Sequence, residues 1–148
     1  MDAESLGLHH VGIVVADLDA AVARYRALGF GEPERFVIPE QKVNAAVFAA
    51  GSGYVELIQP TDPEGPIARY LAKRGEGMHH LALRVADLPA TLARLTDAGV
   101  RLIDTAPRIG THGWRIAFVH PESCNGVLVE LVEDAVSAGS ESSADAGE

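Results

Sequence analysis

The sequence predicts an α+β protein built from two tandem βαβββ repeats, whose strands together form a curved mixed sheet. The first reason is a duplication: residues 8–30 align with residues 78–100 at a constant offset of 70, and ten of these 23 positions are identical. The second is that both copies change from strand-like to helix-like apolar spacing at the same point. The third is that Val-Glu-Leu at 55–57 recurs at 129–131. Two matches in the same order indicate an internal repeat.

Each copy opens with a strand and continues into a helix. Residues 8–15 and 78–85 are rich in Val, Leu and Ile, which favours strands. The helices that follow have an aspartate N-cap and a glycine stop at equivalent positions, namely Asp17 and Gly29 in the first copy and Asp87 and Gly99 in the second. The remaining strands are predicted at 34–38, 43–50 and 54–59, and again at 101–104, 115–119 and 127–132.

These elements divide the chain into five segments. They are an N-terminal extension (1–7), a first module (8–60), a linking helix (61–77), a second module (78–133) and an acidic tail (134–148). The linking helix is predicted over 66–73 because proline suits its first turn. The tail has almost nothing to bury and is expected to be disordered.

Composition excludes several classes of function. The 148 residues are 47% hydrophobic and 22% charged, which is typical of a soluble globular domain. No apolar run approaches the roughly 20 residues that span a membrane. The net charge of −9 argues against a nucleic-acid-binding protein. The N-terminus does not resemble a secretory signal, and the single cysteine, Cys124, excludes an internal disulfide, so we expect a cytoplasmic protein.

Strand parity separates the two histidines of each His-His doublet, because successive side chains of a strand point to opposite faces. His10 and His80 lie on the face away from the predicted helices, each on that face beside a very small residue. His9 and His79 share the apolar face and are expected to be structural, under the helices.

The same rule places two histidines and two glutamates at equivalent positions on the face away from the helices, called the open face below. They are His10, Glu56, His80 and Glu130. If the two copies share one curved sheet, all four point into one cleft. Two imidazoles and two carboxylates suit a divalent Co, Mn, Fe, Zn or Ni ion. Taken singly, each residue could instead be a hydrogen-bonded core histidine or part of a structural ion pair. The duplication of the pattern favours the metal.

Five strings of the chain resemble a known family. They are LHHVGIVVADL, IPEQKV, YVELIQPT, GPIARYLAKRGEGMHHLALRV and PRIGTHGWRIAFVHPESCNGVLVELVE. They resemble the vicinal-oxygen-chelate superfamily, which includes glyoxalase I and extradiol dioxygenases, and within it they look like the methylmalonyl-CoA epimerases. The resemblance extends from Leu8 to Glu133.

The resemblance implies a cup of paired βαβββ units (the glyoxalase fold), homodimers, and an acyl-CoA thioester substrate. The implied activity interconverts (2R)- and (2S)-methylmalonyl-CoA in propionyl-CoA metabolism, with one divalent ion, cobalt favoured. The implied ligands are the four residues of the open face, His10, Glu56, His80 and Glu130.

The resemblance leaves the acid–base groups open. Several bacterial epimerases have a glutamate at the position of Ala45, or of Asn44 if the register slips by one. Neither residue can act as a base. Glu130 could serve at one face of the substrate while leaving the metal. The candidates for the opposite face are Glu40, Gln41, Lys42 and His112. The alternatives are a solvated turn after Pro39 and a surface histidine in a glycine-rich loop.

Other residues have weaker assignments. Arg69, Lys73 and Arg74 of the linking helix could bind the phosphates of CoA, although a solvated helix face is the alternative. Trp114 and Phe118 are expected in the core. Two rival functions remain at this stage: a glyoxalase-I-like lyase acting on a glutathione hemithioacetal, and a non-catalytic ligand-binding protein of the same fold.

Overall fold

A computed structural model of the chain describes residues 6–134. Within these residues it contains three α-helices, α1 (Leu18–Ala27), α2 (Pro66–Arg74) and α3 (Leu88–Asp97). Within the same range it has eight strands, β1 (Gly7–Val14), β2 (Glu34–Ile38), β3 (Val43–Ala50), β4 (Gly53–Pro60), β5 (Gly77–Arg84), β6 (Arg108–Ile109), β7 (Arg115–Val119) and β8 (Val129–Glu133). None of the helices in the described range is long and apolar enough to cross a membrane.

The backbone forms two compact units. One is the segment His10–His80, and the other combines the residues up to His9 with those from Leu81 onward. The first unit therefore contains most of the first repeat, together with the linking helix α2 and the start of β5.

In the unit His10–His80 the strands are ordered β2-β3-β4-β1. Strands β2, β3 and β4 pair antiparallel, whereas β1 is parallel to β4, with Gly12 opposite Glu56. Helix α1 packs on one face of these strands, where Phe48 and Leu57 are fully buried against Val22. Parity had predicted that Leu57 faces the helix and Glu56 does not, and this prediction is confirmed.

The second unit repeats this plan. Its strands are ordered β5-β8-β7-β6, with β8 parallel to β5 and antiparallel to β7. Helix α3 buries Leu88 and Leu92 in one cluster with Ala117 and Leu131. On the other face of the strands, Trp114 and Phe118 pack against a cluster formed by Ala82, Ile116 and Val132. The duplication predicted from the sequence is therefore also present in the structure.

Both repeat helices begin and end as the sequence predicts. The Asp17 side chain accepts a hydrogen bond from the Ala20 backbone at 3.1 Å, and Asp87 does the same for Ala90 at 3.0 Å. After the last turns, Gly29 and Gly99 have φ of 119° and 84°, which favours glycine. Pro66 lies in the first turn of α2, also as predicted.

Removing one of these caps is expected to destabilise the protein modestly. Asp17→Ala leaves a backbone N–H of the first turn without its partner, which costs about 1 kcal/mol. We expect the melting temperature to fall by about 2–5 °C in a thermal melt followed by circular dichroism. Asp17→Ser is the matched control, since serine also caps. An equal loss in both variants would contradict the capping role.

One predicted strand is missing. In the described part of the chain, residues 101–104 form only an isolated bridge between Leu102 and Val119. The cause is Asp104, whose Oδ2 accepts the backbone N–H of Phe118 at 2.8 Å, a group that a continuing strand would need. The edge position beside β7 is taken instead by the short strand β6.

Asp134, the first residue of the predicted acidic tail, is part of the fold. Asp134, assigned to the tail from the sequence, is only 4% exposed. Its Oδ2 accepts a hydrogen bond from His9 Nε2 at 2.9 Å, and Arg84 Nε lies 3.6 Å from its Oδ1. The buried charge thus has partners, as buried charges require. The rest of the predicted tail, residues 135–148, and residues 1–5 lie outside the described residues.

Candidate metal centre

Three of the four predicted ligands lie together inside the unit His10–His80. His10 Nε2 is 2.9 Å from His80 Nε2 and 3.4 Å from Glu56 Oε1, and His80 Nε2 is 3.9 Å from the same oxygen. All three side chains are at least nine-tenths buried. Bonds of about 2.0–2.2 Å to one cation place neighbouring ligand atoms roughly 3–3.5 Å apart. The spacing and chemistry of these donors therefore fit a divalent metal ion.

The parallel pairing of β1 with β4 explains why His10 and Glu56 meet. Glu56 is opposite Gly12, which lies two residues from His10 and therefore on the same face of the strand. The sequence predicted empty space beside Gly12. The structure shows that the imidazole of His80 fills it, since a Cβ added at Gly12 would lie 2.1 Å from His80 Cε1.

The other ring nitrogen of His80 also has a partner. His80 Nδ1 lies 3.0 Å from Nδ1 of His79. The ring of Tyr70, from helix α2, meets His79 edge to face at a centroid distance of 4.7 Å. Parity alone did not indicate this contact, because neighbours on a strand point to opposite faces.

Glu130 occupies the equivalent position in the second repeat. It lies on β8, is 6% exposed, and pairs in register with Ala82 of β5. Ala82 follows His80 by two residues, as Gly12 follows His10. The register that places Glu56 opposite Gly12 is therefore repeated for Glu130, which lies opposite Ala82.

The model of the Glyoxalase/Bleomycin resistance protein/Dioxygenase superfamily matches residues 9–118. The ethylmalonyl-CoA/methylmalonyl-CoA epimerase of Cereibacter sphaeroides is 40% identical over 129 residues, covering 84% of this chain and 95% of that protein. The human mitochondrial methylmalonyl-CoA epimerase is 37% identical over 126 residues, covering 84% and 72%. The chain belongs to the methylmalonyl-CoA epimerase family of this superfamily.

Solved structures of methylmalonyl-CoA epimerases have the same fold as this chain, which confirms the predicted fold class. The methylmalonyl-CoA epimerase of Mycobacterium tuberculosis has a TM-score of 0.83 at 44% identity, covering 91% of this chain and 93% of that one. A methylmalonyl-CoA epimerase in complex with methylmalonyl-CoA and NH4+ gives 0.83 at 42% identity, covering 90% and 99%.

Ala45 and Asn44 are the two positions at which the resemblance would place the glutamate of several bacterial epimerases, and they lie on opposite faces of β3. Ala45 is 1% exposed and lies with Val43 and Ile58 in one apolar cluster. Ile58 is two residues from Glu56 on β4, so Ala45 lies on the face of the sheet that bears Glu56. Asn44 points to the opposite face. On the face that bears Glu56, β3 therefore presents the methyl group of Ala45, which cannot act as an acid or a base.

The turn after Pro39 places its polar residues toward the surface. Glu40 and Lys42 are exposed and Gln41 is half-buried. Lys42 adopts a left-handed conformation with φ of 60°, and its Nζ lies 3.7 Å from Asp62 Oδ2. The structure brings none of these three into the His10–Glu56–His80 cluster.

Packing against Trp114 fixes the side chain of His112. It is half-buried, has φ of 69°, and its ring lies over that of Trp114 at a centroid distance of 4.4 Å. Trp114 in turn meets His9 edge to face at 4.4 Å. These contacts place His112 against the folded part of the second unit, whereas the sequence left a surface loop as the alternative.

The predicted location of His9 under a helix is wrong. It is fully buried, but against Trp114 and Asp134, on the face of the second unit that bears the Ala82 cluster. A hydrogen bond to Asp134 and the edge-to-face contact with Trp114 hold the ring there.

The basic residues of α2 are exposed. Arg69 donates to the Glu64 carbonyl, and the Arg74 guanidinium lies 5.7 Å from the centre of the Tyr70 ring. Lys73 is exposed on the same helix. Cys124 is half-buried, and burial raises the pKa of its thiol, which lowers the fraction of nucleophilic thiolate.

Proposed function

We propose that this protein interconverts (2R)- and (2S)-methylmalonyl-CoA, using one divalent cation held by His10, Glu56, His80 and Glu130. The observation that supports it best is the buried cluster of two imidazoles and one carboxylate, with donor atoms 2.9–3.9 Å apart. The likeness to epimerases at 37–44% identity supports the substrate. The alternative, a glyoxalase-I-like lyase, would use the same metal set but would act on a glutathione hemithioacetal and not on a CoA thioester.

Glu130 is the proposed fourth ligand because of the repeat. Glu56 contacts His10 through the pairing of β4 with β1, and Glu130 has the same register on β8 with β5. Two nitrogens and two oxygens match Co²⁺, Mn²⁺, Fe²⁺, Zn²⁺ or Ni²⁺, and we propose cobalt as the native ion. When bound, the cation supplies positive charge that stabilises the enolate form of the substrate.

The protein's own residues then have to move protons. The C2–H of methylmalonyl-CoA lies between a thioester carbonyl and a carboxylate, and inversion removes a proton at one face and returns it at the other. We propose Glu130 for one face and His112 for the other. An imidazole can accept and donate a proton, and the tilted ring contact with Trp114, at 4.4 Å, orients that of His112. Gln41 and Lys42 rank lower because Gln41 has no titratable proton and Lys42 is exposed beside Asp62.

Substrate binding is proposed to use the basic face of α2. Arg69, Lys73 and Arg74 are exposed and within two turns of one another, so their charges can act together on the phosphates of CoA. The proposal further includes a homodimer and a cytoplasmic location; sedimentation analysis of the purified protein tests the first.

The activity is tested by hydrogen exchange. Cobalt-loaded protein is incubated with (2S)-methylmalonyl-CoA in deuterated water, and the C2 proton is followed by NMR together with formation of the (2R) epimer. We expect both exchange and epimerisation. The same protein is offered the hemithioacetal of methylglyoxal and glutathione as the control. Turnover of the hemithioacetal without C2 exchange would replace the epimerase by a lyase, and binding without turnover of either would indicate a ligand-binding protein.

A further inference from the structure

We propose that His79 is a positioning residue of the metal centre, which fixes His80 in the tautomer that binds a cation through Nε2. This inference rests on the proposed metal site and adds a residue outside its four ligands. His79 was expected from the sequence to be structural only.

The geometry around His80 determines where its proton must lie. Nε2 faces His10 and Glu56, at 2.9 Å and 3.9 Å, and is therefore the nitrogen available to a metal. A neutral imidazole that binds a cation through Nε2 bears its proton on Nδ1. That Nδ1 lies 3.0 Å from His79 Nδ1, so His80 donates and His79 accepts. Such a hydrogen bond orients a ligand ring and increases its basicity.

Helix α2 holds His79 in turn. The Tyr70 ring meets the His79 ring at 4.7 Å with an interplanar angle of 78°. The Tyr70 hydroxyl donates to the Met78 carbonyl at 2.8 Å, which ties the tyrosine to the strand just before the histidine doublet. The acceptor nitrogen of His79 is thus fixed by packing and by a hydrogen bond, as a residue that positions a ligand requires.

The same doublet in the first repeat has a different role. His9, the counterpart of His79, donates through Nε2 to Asp134 at 2.9 Å and packs on Trp114. The two leading histidines therefore have different partners: Asp134 and Trp114 for His9, and Tyr70 of α2 for His79.

Two substitutions test the role of His79. His79→Leu removes the acceptor, whereas His79→Asn keeps an acceptor oxygen near the position of Nδ1. We expect His79→Leu to weaken Co²⁺ binding about 10- to 100-fold in calorimetric titration with a competing chelator, and His79→Asn to restore most of the affinity. Circular dichroism of each variant establishes that it is folded.

The outcomes separate the two proposals. If wild-type protein binds no Co²⁺, the metal site of the proposed function fails. If wild type binds Co²⁺ and folded His79→Leu binds it equally well, the role of His79 fails while the metal site stands. Equal losses in His79→Leu and His79→Asn would also overturn the hydrogen-bond argument.

A measurement on the wild type covers the case in which a variant does not fold. In zinc-loaded protein labelled with ¹⁵N-histidine, NMR reports which ring nitrogens bear protons. We expect His80 to be protonated at Nδ1, with a scalar coupling across the hydrogen bond to His79 Nδ1. A proton on His79 Nδ1, or on Nε2 of His80, would overturn the inference.

Discussion

Replacing His80 by alanine is expected to remove metal binding and to lower the rate of C2 exchange in methylmalonyl-CoA by about three orders of magnitude. His80 Nε2 is the donor that lies within 3.9 Å of both His10 and Glu56, so the cluster loses a nitrogen shared by both contacts. A cation that stabilises developing negative charge contributes several kcal/mol, and each 1.36 kcal/mol corresponds to a tenfold rate. The exchange rate and the metal content per chain are the two measurements.

His120→Ala is the matched control for this experiment. His120 lies at the start of the turn Pro121–Cys124, where its Nδ1 accepts the backbone N–H of Glu122 at 2.9 Å. It is a histidine outside the proposed ligand set, so metal content and exchange rate should stay near those of the wild type. Should His80→Ala retain both its metal and its activity, the proposed site would be wrong in its central residue.

Gly12→Ala is expected to produce the second largest effect, although it adds only a single methyl group. The new Cβ would lie 2.1 Å from His80 Cε1 and 2.5 Å from His80 Nδ1, distances at which atoms cannot coexist. The ring has little freedom to retreat, because its two nitrogens are engaged by His10 and His79. We therefore expect Co²⁺ affinity to fall more than tenfold, and overpacking to cost about 1–3 kcal/mol.

Gly31→Ala provides the comparison for Gly12→Ala. A Cβ at Gly31 meets no other atom within 4 Å, so this variant should melt and bind Co²⁺ like the wild type. Thermal melts with and without metal, together with calorimetric titration, measure both effects. Unchanged Co²⁺ affinity in Gly12→Ala would mean that the His80 ring does not lie over residue 12.

Local sequence patterns predicted both repeat helices and the faces of several strands. The duplication and the aspartate caps placed α1 and α3, and strand parity placed Glu56 on the face opposite Leu57, because these properties depend only on neighbouring residues. Once the pairing of β3 with β4 is known, the same parity places Ala45 on the face of Glu56 and Asn44 on the opposite face.

Contacts between distant residues could not be predicted in this way. His9 and Asp134 are 125 positions apart, and no periodicity relates them. The missing strand at 101–104 likewise depends on one side chain, that of Asp104, replacing a backbone partner of Phe118. The His79–His80 contact was not predicted for another reason. Strand alternation describes only where Cβ atoms point. The ring nitrogens of neighbouring residues can still approach each other through rotation about their side-chain bonds.

The two histidine doublets have an evolutionary consequence. Although the pairs are identical in sequence, the leading histidine of one pair contacts Asp134, and that of the other contacts a tyrosine from the segment that joins the halves. A chain assembled from two copies of the first half would lack Asp134 as a partner, and one assembled from two copies of the second would lack Tyr70. The identical doublets therefore depend on contacts that the duplication itself did not supply.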